Sequence, residues 1–133
     1  MVIEGKAAVI NQSIDTVYHF LTDFNNFKPL MPEQITNWKS DTESCSFTIQ
    51  GMADISLKFG EKTPNNFVKL VPEGKVPFEF SLGVNLTESG EDTVIKIEVD
   101  AQLNPMMAMM AKRPLENLVN VMAANVNDAI GRQ

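Results

Sequence analysis

The sequence contains few of the residues on which metal and redox sites depend. Its 133 residues include one cysteine, Cys45, and one histidine, His19. A single cysteine cannot form an intramolecular disulfide, so nothing in the chain requires an oxidising compartment. Zinc sites of the usual types take about four cysteine or histidine ligands. The sequence therefore predicts no structural zinc, and we expect no cofactor.

Long apolar runs and positive charge are scarce as well. No apolar stretch approaches the roughly 18 residues of a membrane-spanning helix, so no integral membrane segment is predicted. Residues 1–13 show no basic leader followed by an apolar run and a cleavage site, which makes the cytoplasm the expected location. The chain has 11 Lys and Arg residues against 17 Asp and Glu residues, a formal net charge of −6. Phosphate neutralisation needs a basic face, so nucleic acid is not an expected partner.

The composition is otherwise that of a folded protein with a substantial core. Hydrophobic residues make up 44% of the chain and charged residues 21%, which excludes disorder as the main state. No internal repeat, low-complexity segment or linker divides the sequence. Residues 1–133 are therefore expected to form a single domain.

The first quarter of the chain predicts a strand followed by two short helices. Residues 2–10 are short and rich in β-branched side chains, which suits a first strand. Ser13 is a good helix N-cap, and apolar residues then follow at spacings of three and four: Val17, Phe20, Leu21 and Phe24. Asn25 and Asn26 are expected to break this helix. A second short helix through residues 27–30 is expected to stop near Pro29 and Pro32.

From Ile35 the period changes to two, which is typical of strands with one buried face. Apolar and polar residues alternate in residues 45–49, 55–59, 78–86 and 95–103, and residues 67–71 form a further candidate strand. The connections are short, so an antiparallel meander is predicted.

The C-terminal quarter predicts one long helix. Asn104 and Pro105 supply a cap and a proline at the first helical position, and an apolar stripe follows: Leu115, Leu118, Val119, Met122, Val126 and Ile130. This stripe is expected to cover the dry face of the sheet. Pro114 should kink the helix, because it lacks a backbone N–H and crowds the preceding turn. Residues 106–113 would then form a bent lid.

This order of elements resembles the START-like superfamily, the polyketide cyclase/dehydrase and lipid-transport group that includes the birch-pollen allergen. The local carriers of the resemblance are residues 14–24, with their aromatic helix and acidic–aromatic pair, and the proline-bounded segment 27–32. The resemblance covers nearly the whole chain. It implies an α+β helix-grip fold, with a curved antiparallel sheet of about six to seven strands wrapped around the long helix.

The resemblance also implies an apolar cavity between the sheet and the helix, with lipids, sterols, quinones, polyketides or hormone-like molecules as ligands. The alternative is a fully packed core, since alternating apolar positions are usually just core. The candidate lining residues are Phe27, Met31, Phe47, Ile49, Ile55, Leu57, Phe59, Phe80, Leu82, Ile97, Val99, Met106, Met107 and Met110.

The methionine-rich start of the long helix is apolar all round, which is unusual for a surface helix. Four methionines fall within residues 106–110, and methionine adapts well to irregular partners. Three interpretations stay open: a loosely packed helix start, the mouth of the cavity, or a homodimer contact. Lys112 and Arg113 follow and are able to meet an acidic head group, although solvation is their commoner role.

No residue set points clearly to catalysis. Asp15, His19 and Asp23 are spaced four apart and share one side of the first helix, where a solvated Asp–His pair is the simplest interpretation. Cys45 occupies a dry strand position, where thiols are usually inert. No nucleophile elbow or phosphate-binding glycine loop is present, and the inward positions carry no titratable group. We therefore expect a binding protein, with a polyketide cyclase-like enzyme using Tyr18, His19 or Cys45 as the alternative.

Overall fold

The computed structural model describes residues 1–76 and 78–132. The strands are β1 (Val2–Glu4), β2 (Ala8–Ile10), β3 (Ile35–Ser40), β4 (Ser44–Ile49), β5 (Ala53–Thr63), β6 (Phe67–Pro72), β7 (Phe80–Ser89) and β8 (Asp92–Ala101). The helices are α1 (Ile14–Leu21) and α2 (Pro105–Gly131). Two single-turn 3₁₀ helices, Phe24–Asn26 and Lys28–Leu30, lie between α1 and β3.

Helix α1 begins at the predicted cap. The Ser13 hydroxyl accepts a hydrogen bond from the Thr16 N–H at 3.3 Å, and the predicted apolar stripe is buried along Val17, Phe20 and Leu21. The helix ends at Leu21, so Phe24 of the predicted stripe lies in a separate 3₁₀ turn with Asn25 and Asn26, and the expected second short helix is a 3₁₀ turn over residues 28–30. Phe27 and Leu30 are nevertheless buried, so these turns act as a packed corner.

All pairings in the sheet are antiparallel, and the strand order is β1-β8-β7-β6-β5-β4-β3. The expected first strand is divided into β1 and β2, which both pair with β8. Gly5 lies between them, and a Cβ there would come within 3.0 Å of the Ile97 carbonyl oxygen and 3.1 Å of Val119 on α2. A glycine therefore permits the close approach of this edge to the helix.

Helix α2 crosses the dry face of the sheet, as its stripe predicts. Its first turn is capped by Asn104, whose Oδ1 accepts from the Met107 N–H at 2.9 Å. Val119 and Val126 are fully buried, together with Ile95 and Ile97 of β8. Helix and sheet thus form one apolar core, and the predicted helix-grip arrangement is confirmed.

Pro114 lies inside α2 without ending it, since helical structure continues from Pro105 to Gly131. The corner before β3 is joined to the helix near this proline. Gln34 Nε2 donates to the Pro114 carbonyl at 3.5 Å, and Asn117 Nδ2 donates to Gln34 Oε1 at 3.0 Å. Further along, Asn125 Nδ2 donates to the Leu30 carbonyl at 3.3 Å. Among the described residues, no helix is long and apolar enough to cross a membrane.

Candidate functional site

A small, partly enclosed space, the core hollow, lies between the sheet and the middle of α2. Its volume is about 10 Å³, which is close to the minimum needed for one water molecule. Its wall is formed by Phe27, Met31, Trp38, Cys45, Phe47, Leu57, Leu70, Leu82, Leu118 and Met122. The interior is thus nearly packed in this conformation, and any larger guest requires wall residues to move. Two of those residues are methionines, whose side chains rearrange readily.

A larger apolar space, the mouth hollow, lies at the end of the sheet beneath the start of α2. Its volume is about 160 Å³, and it is lined by Gln50, Gly51, Met52, Phe78, Leu103, Met107, Met110, Ala111 and Pro114. The β4–β5 turn forms one wall, and the methionine-rich helix start forms the opposite wall. The lining is mostly apolar, as is usual for small-molecule sites.

The two hollows follow the same helix. Pro114 borders the mouth hollow and Leu118 borders the core hollow. Four residues of α-helix correspond to about 6 Å of rise. The two spaces therefore lie about one helical turn apart along the groove between sheet and helix.

Trp38 reaches the core hollow because of a bulge in edge strand β3. Thr36 pairs with Thr48 and Lys39 with Ser46, so Asn37 and Trp38 together oppose the single residue Phe47. Asn37 has a φ of +57°, a left-handed conformation that asparagine tolerates better than most residues. The extra residue reverses the alternation and turns Trp38 inward. The Trp38 ring then stacks on Phe47 with 5.6 Å between centroids and 14° between planes.

The indole nitrogen of Trp38 is buried without a hydrogen-bond partner among the described residues. The same residue borders an open groove, the edge groove, which it shares with Met31, Pro32 and Ile35. Met31 and Trp38 border both the edge groove and the core hollow. These two side chains therefore separate the interior from solvent at this edge of the sheet.

The fourteen candidate lining residues fall into four groups. Five border the core hollow: Phe27, Met31, Phe47, Leu57 and Leu82. Met107 and Met110 border the mouth hollow. Ile49, Ile55, Ile97 and Val99 are buried core residues that border neither hollow. The last three are Phe59, half-buried and stacked on Phe24, Phe80, half-buried against Phe78, and Met106 at the surface.

The methionine-rich helix start is a surface, although its composition led us to expect a covered segment. Met106, Met109 and Met110 are 75%, 84% and 70% exposed. Lys112 and Arg113 beside them are also exposed. An exposed apolar patch of this kind is typical of a contact with a partner or a ligand.

The remaining candidates have ordinary structural roles. His19 Nδ1 lies 2.8 Å from the Asp15 carbonyl oxygen and 3.5 Å from Oδ1 of the same residue, with both side chains exposed. The Asp23 carboxylate instead accepts from the Asn25 N–H at 2.9 Å. Cys45 is buried, as its strand position predicts, and burial raises the pKa of its thiol to about 12.

Sequence reasoning missed several wall residues of both hollows. Trp38 was missed because a bulge in a strand leaves no periodic signal. Leu118 and Met122 were recognised only as members of the helix stripe, and Phe78 and Leu103 only as ends of alternating runs. The proline signal at residue 114 indicated a distorted helix, and this residue does border the mouth hollow.

The known structures that this chain resembles share its fold. No protein-family model matches the chain, and no curated protein does. A START superfamily protein from Mycobacterium smegmatis is 14% identical, with a TM-score of 0.68 over 98% of this chain and 97% of that chain. A protein from Thermus thermophilus is 11% identical, with a TM-score of 0.75 over 99% and 98% of the two chains.

A third structure is the Aha1 dimer from Colwellia psychrerythraea. It is 16% identical, with a TM-score of 0.57 over 92% of this chain and 98% of that chain. At these identities the likeness is one of fold alone. The element order, the sheet topology and these neighbours together show that the chain has the START-like, SRPBCC-type helix-grip fold.

Proposed function

We propose that this protein binds a hydrophobic small molecule between its sheet and α2, as a carrier or a sensor. Lipids, quinones, sterol-like molecules and polyketide-like molecules are the candidate classes. The observation that carries the proposal is the mouth hollow, an apolar space of about 160 Å³ at the end of the groove. An apolar cavity of about this size is large enough for one benzene-sized ring.

A larger ligand would occupy the groove by extending from the mouth hollow toward the core hollow. Methionines border both spaces, Met107 and Met110 at the mouth and Met31 and Met122 inside. Their unbranched side chains change rotamer at little cost, so the groove is able to widen around a guest. Burial of apolar ligand surface would then supply the affinity, at about 25 cal/mol per Å² before the costs of association.

The uncharged fluorescent dye N-phenyl-1-naphthylamine tests this proposal. We expect its emission to rise on mixing with the protein and the melting temperature to increase with dye concentration, because a ligand that binds only the folded state stabilises it. Native mass spectrometry of the purified protein provides an independent test for a co-purified apolar molecule. A protein that carries no such molecule, binds no dye and shows no thermal shift would contradict the proposal.

Two matched variants test the location of the dye. Met110→Glu places a charge at the mouth hollow, whereas Met106→Glu places the same charge on the same exposed helix start at a residue that borders neither hollow. We expect Met110→Glu to weaken dye binding at least tenfold and Met106→Glu to leave it nearly unchanged. Equal effects of the two variants would place the dye elsewhere.

The enzyme alternative has less support. Cys45 borders the core hollow, but its raised thiol pKa of about 12 leaves almost no thiolate near neutral pH. His19 is exposed on the outside of α1. We also propose a cytoplasmic location, which the single free thiol favours.

A homodimer through residues 106–110 is a second candidate function. The supporting observation is the exposure of Met106, Met109 and Met110 on one short helical surface, and one structural neighbour, Aha1, is described as a dimer. Sedimentation velocity over a hundredfold concentration range should show association, and Met109→Glu should abolish it. A monomer at every concentration would contradict this function and leave the ligand-binding proposal intact.

A further inference from the structure

We propose that the molecule bound by this protein carries a neutral hydrogen-bond acceptor, such as a ketone, quinone or ester carbonyl, which accepts from the indole N–H of Trp38. This inference rests on the proposed ligand-binding function and adds the chemical class of the ligand. Its starting point is the buried Trp38 Nε1, which has no hydrogen-bond partner among the described residues. Buried tryptophan N–H groups usually have a partner, because an unpaired buried donor costs free energy.

The surroundings of Trp38 indicate the side on which an acceptor would lie. The residue borders both the open edge groove and the more enclosed core hollow. Its nitrogen is shielded from solvent, so water in the open groove does not reach the N–H. The core hollow offers apolar carbon and the sulfur atoms of Met31, Met122 and Cys45, which are weak acceptors. A strong acceptor would have to come from a guest in this space.

The position of the donor is held by local structure. The β3 bulge turns Trp38 inward and requires a left-handed Asn37, and stacking on Phe47 restricts the indole ring. A restricted ring presents its N–H in one direction, so a guest carbonyl loses little freedom when the hydrogen bond forms.

The charge of the site selects a neutral acceptor over a carboxylate. No Lys, Arg or His side chain borders the core hollow among the described residues. A carboxylate buried there would lose its hydration without an opposite charge, which is far more costly than burying a carbonyl group. A fatty acid bound with its head group inside is therefore not expected, whereas a ketone, quinone or ester is.

Two small probes of the same shape test this inference. Acetylcyclohexane carries a carbonyl where isopropylcyclohexane carries a CH–CH₃ group, so they differ mainly in the acceptor. Trp38 is the only tryptophan, and a nitrogen-15 NMR spectrum therefore contains one indole N–H signal. We expect the ketone alone to move this proton signal downfield, and to bind about three- to tenfold more tightly than the hydrocarbon.

Variants show whether the preference depends on the indole. Trp38→Phe removes the N–H and should abolish the preference for the ketone over the hydrocarbon, whatever its effect on the affinity for each probe. Met31→Leu changes the same wall without removing a donor and should retain the preference. The comparison in the unmodified protein remains decisive if Trp38→Phe does not fold.

The possible results distinguish a failure of this inference from a failure of the proposed ligand-binding function. Equal binding of both probes with an unmoved indole signal would overturn the inference alone, as would a ketone preference that survives in Trp38→Phe. Binding of neither probe, together with the absence of dye binding, would overturn the proposed function and this inference with it.

Discussion

At the scale of single residues, the buried thiol of Cys45 makes the stability of the fold depend on pH. Burial raises its pKa from the ordinary value of 9.0 to about 12, so the folded chain retains this proton at pH values where the unfolded chain loses it. Between these values the unfolded state binds fewer protons than the folded state. Stability therefore falls as the pH rises above 9, and this group has no effect near neutral pH.

The variant Cys45→Ala isolates this contribution. Unfolding in urea between pH 8 and pH 11 should show a steeper loss of stability in the parent protein than in the variant, by up to a factor of ten in the unfolding equilibrium constant per pH unit. The substitution itself shifts stability by a constant amount. Parallel curves for the two proteins would contradict a raised thiol pKa.

Phe80 and Phe24 provide a residue-scale comparison of a site next to a hollow with a site in packed core. Phe24 is fully buried and stacks on Phe59 with 4.2 Å between centroids. Phe80 is half-buried and contacts Phe78 at the mouth hollow. We expect Phe24→Ala to cost about 3–5 kcal/mol and Phe80→Ala about half as much, because fewer contacts are lost. Urea unfolding followed by Trp38 fluorescence measures both, and equal costs would contradict the expectation.

At the scale of elements, the bulge in β3 depends on the backbone of Asn37. Its φ of +57° is strained for most side chains, and a β-branched residue there should cost about 1–2 kcal/mol. We expect Asn37→Val to be destabilised by this amount and Asn37→Gly to be near neutral. Thr36→Val is the control, because it introduces the same side chain one residue earlier in the strand. If Asn37→Val unfolds at the same urea concentration as the parent, the bulge does not require a residue that tolerates a left-handed backbone at position 37.

The bend expected in α2 at Pro114 belongs to the same scale, because it arises within a single helix. The ring cannot donate to the Met110 carbonyl, and both residues border the mouth hollow. Pro114→Ala should restore that hydrogen bond, stabilise the helix by up to about 3 kcal/mol and weaken dye binding by straightening the helix over the hollow. Thermal unfolding and dye titration measure the two effects, with Lys112→Ala as a surface control. A less stable variant with unchanged dye affinity would argue against the bend.

At the scale of the whole molecule, net charge opposes the compact state. The formal charge is −6, and the one Lys–carboxylate pair found among the described residues, Lys96–Glu4, is about half exposed. Exposed pairs contribute little, so repulsion should dominate. We expect the melting temperature to rise by a few degrees from about 10 mM to about 150 mM salt, as the screening length falls from about 30 Å to about 8 Å. A fall in melting temperature would indicate that attractive pairs dominate.

The fold class followed from periodicity along the chain. Alternation in residues 95–103 predicted β8, and the helical stripe from Leu115 to Ile130 predicted α2 on the dry face of the sheet. These signals are local: a side chain's face is set by its position within its own element, at a period of 2 or 3.6 residues. The order of such elements resembled that of the START-like superfamily, and it was this resemblance that implied the helix-grip fold.

The site depended on contacts between distant parts of the chain. The inward turn of Trp38 arises from a register shift against β4, and the exposure of Met106 depends on which surfaces reach the start of α2. The volume of a hollow is the small difference between the space enclosed and the side chains that fill it. None of these features produces a periodic pattern in the sequence. They are determined by how the helix, the corner and the sheet pack together.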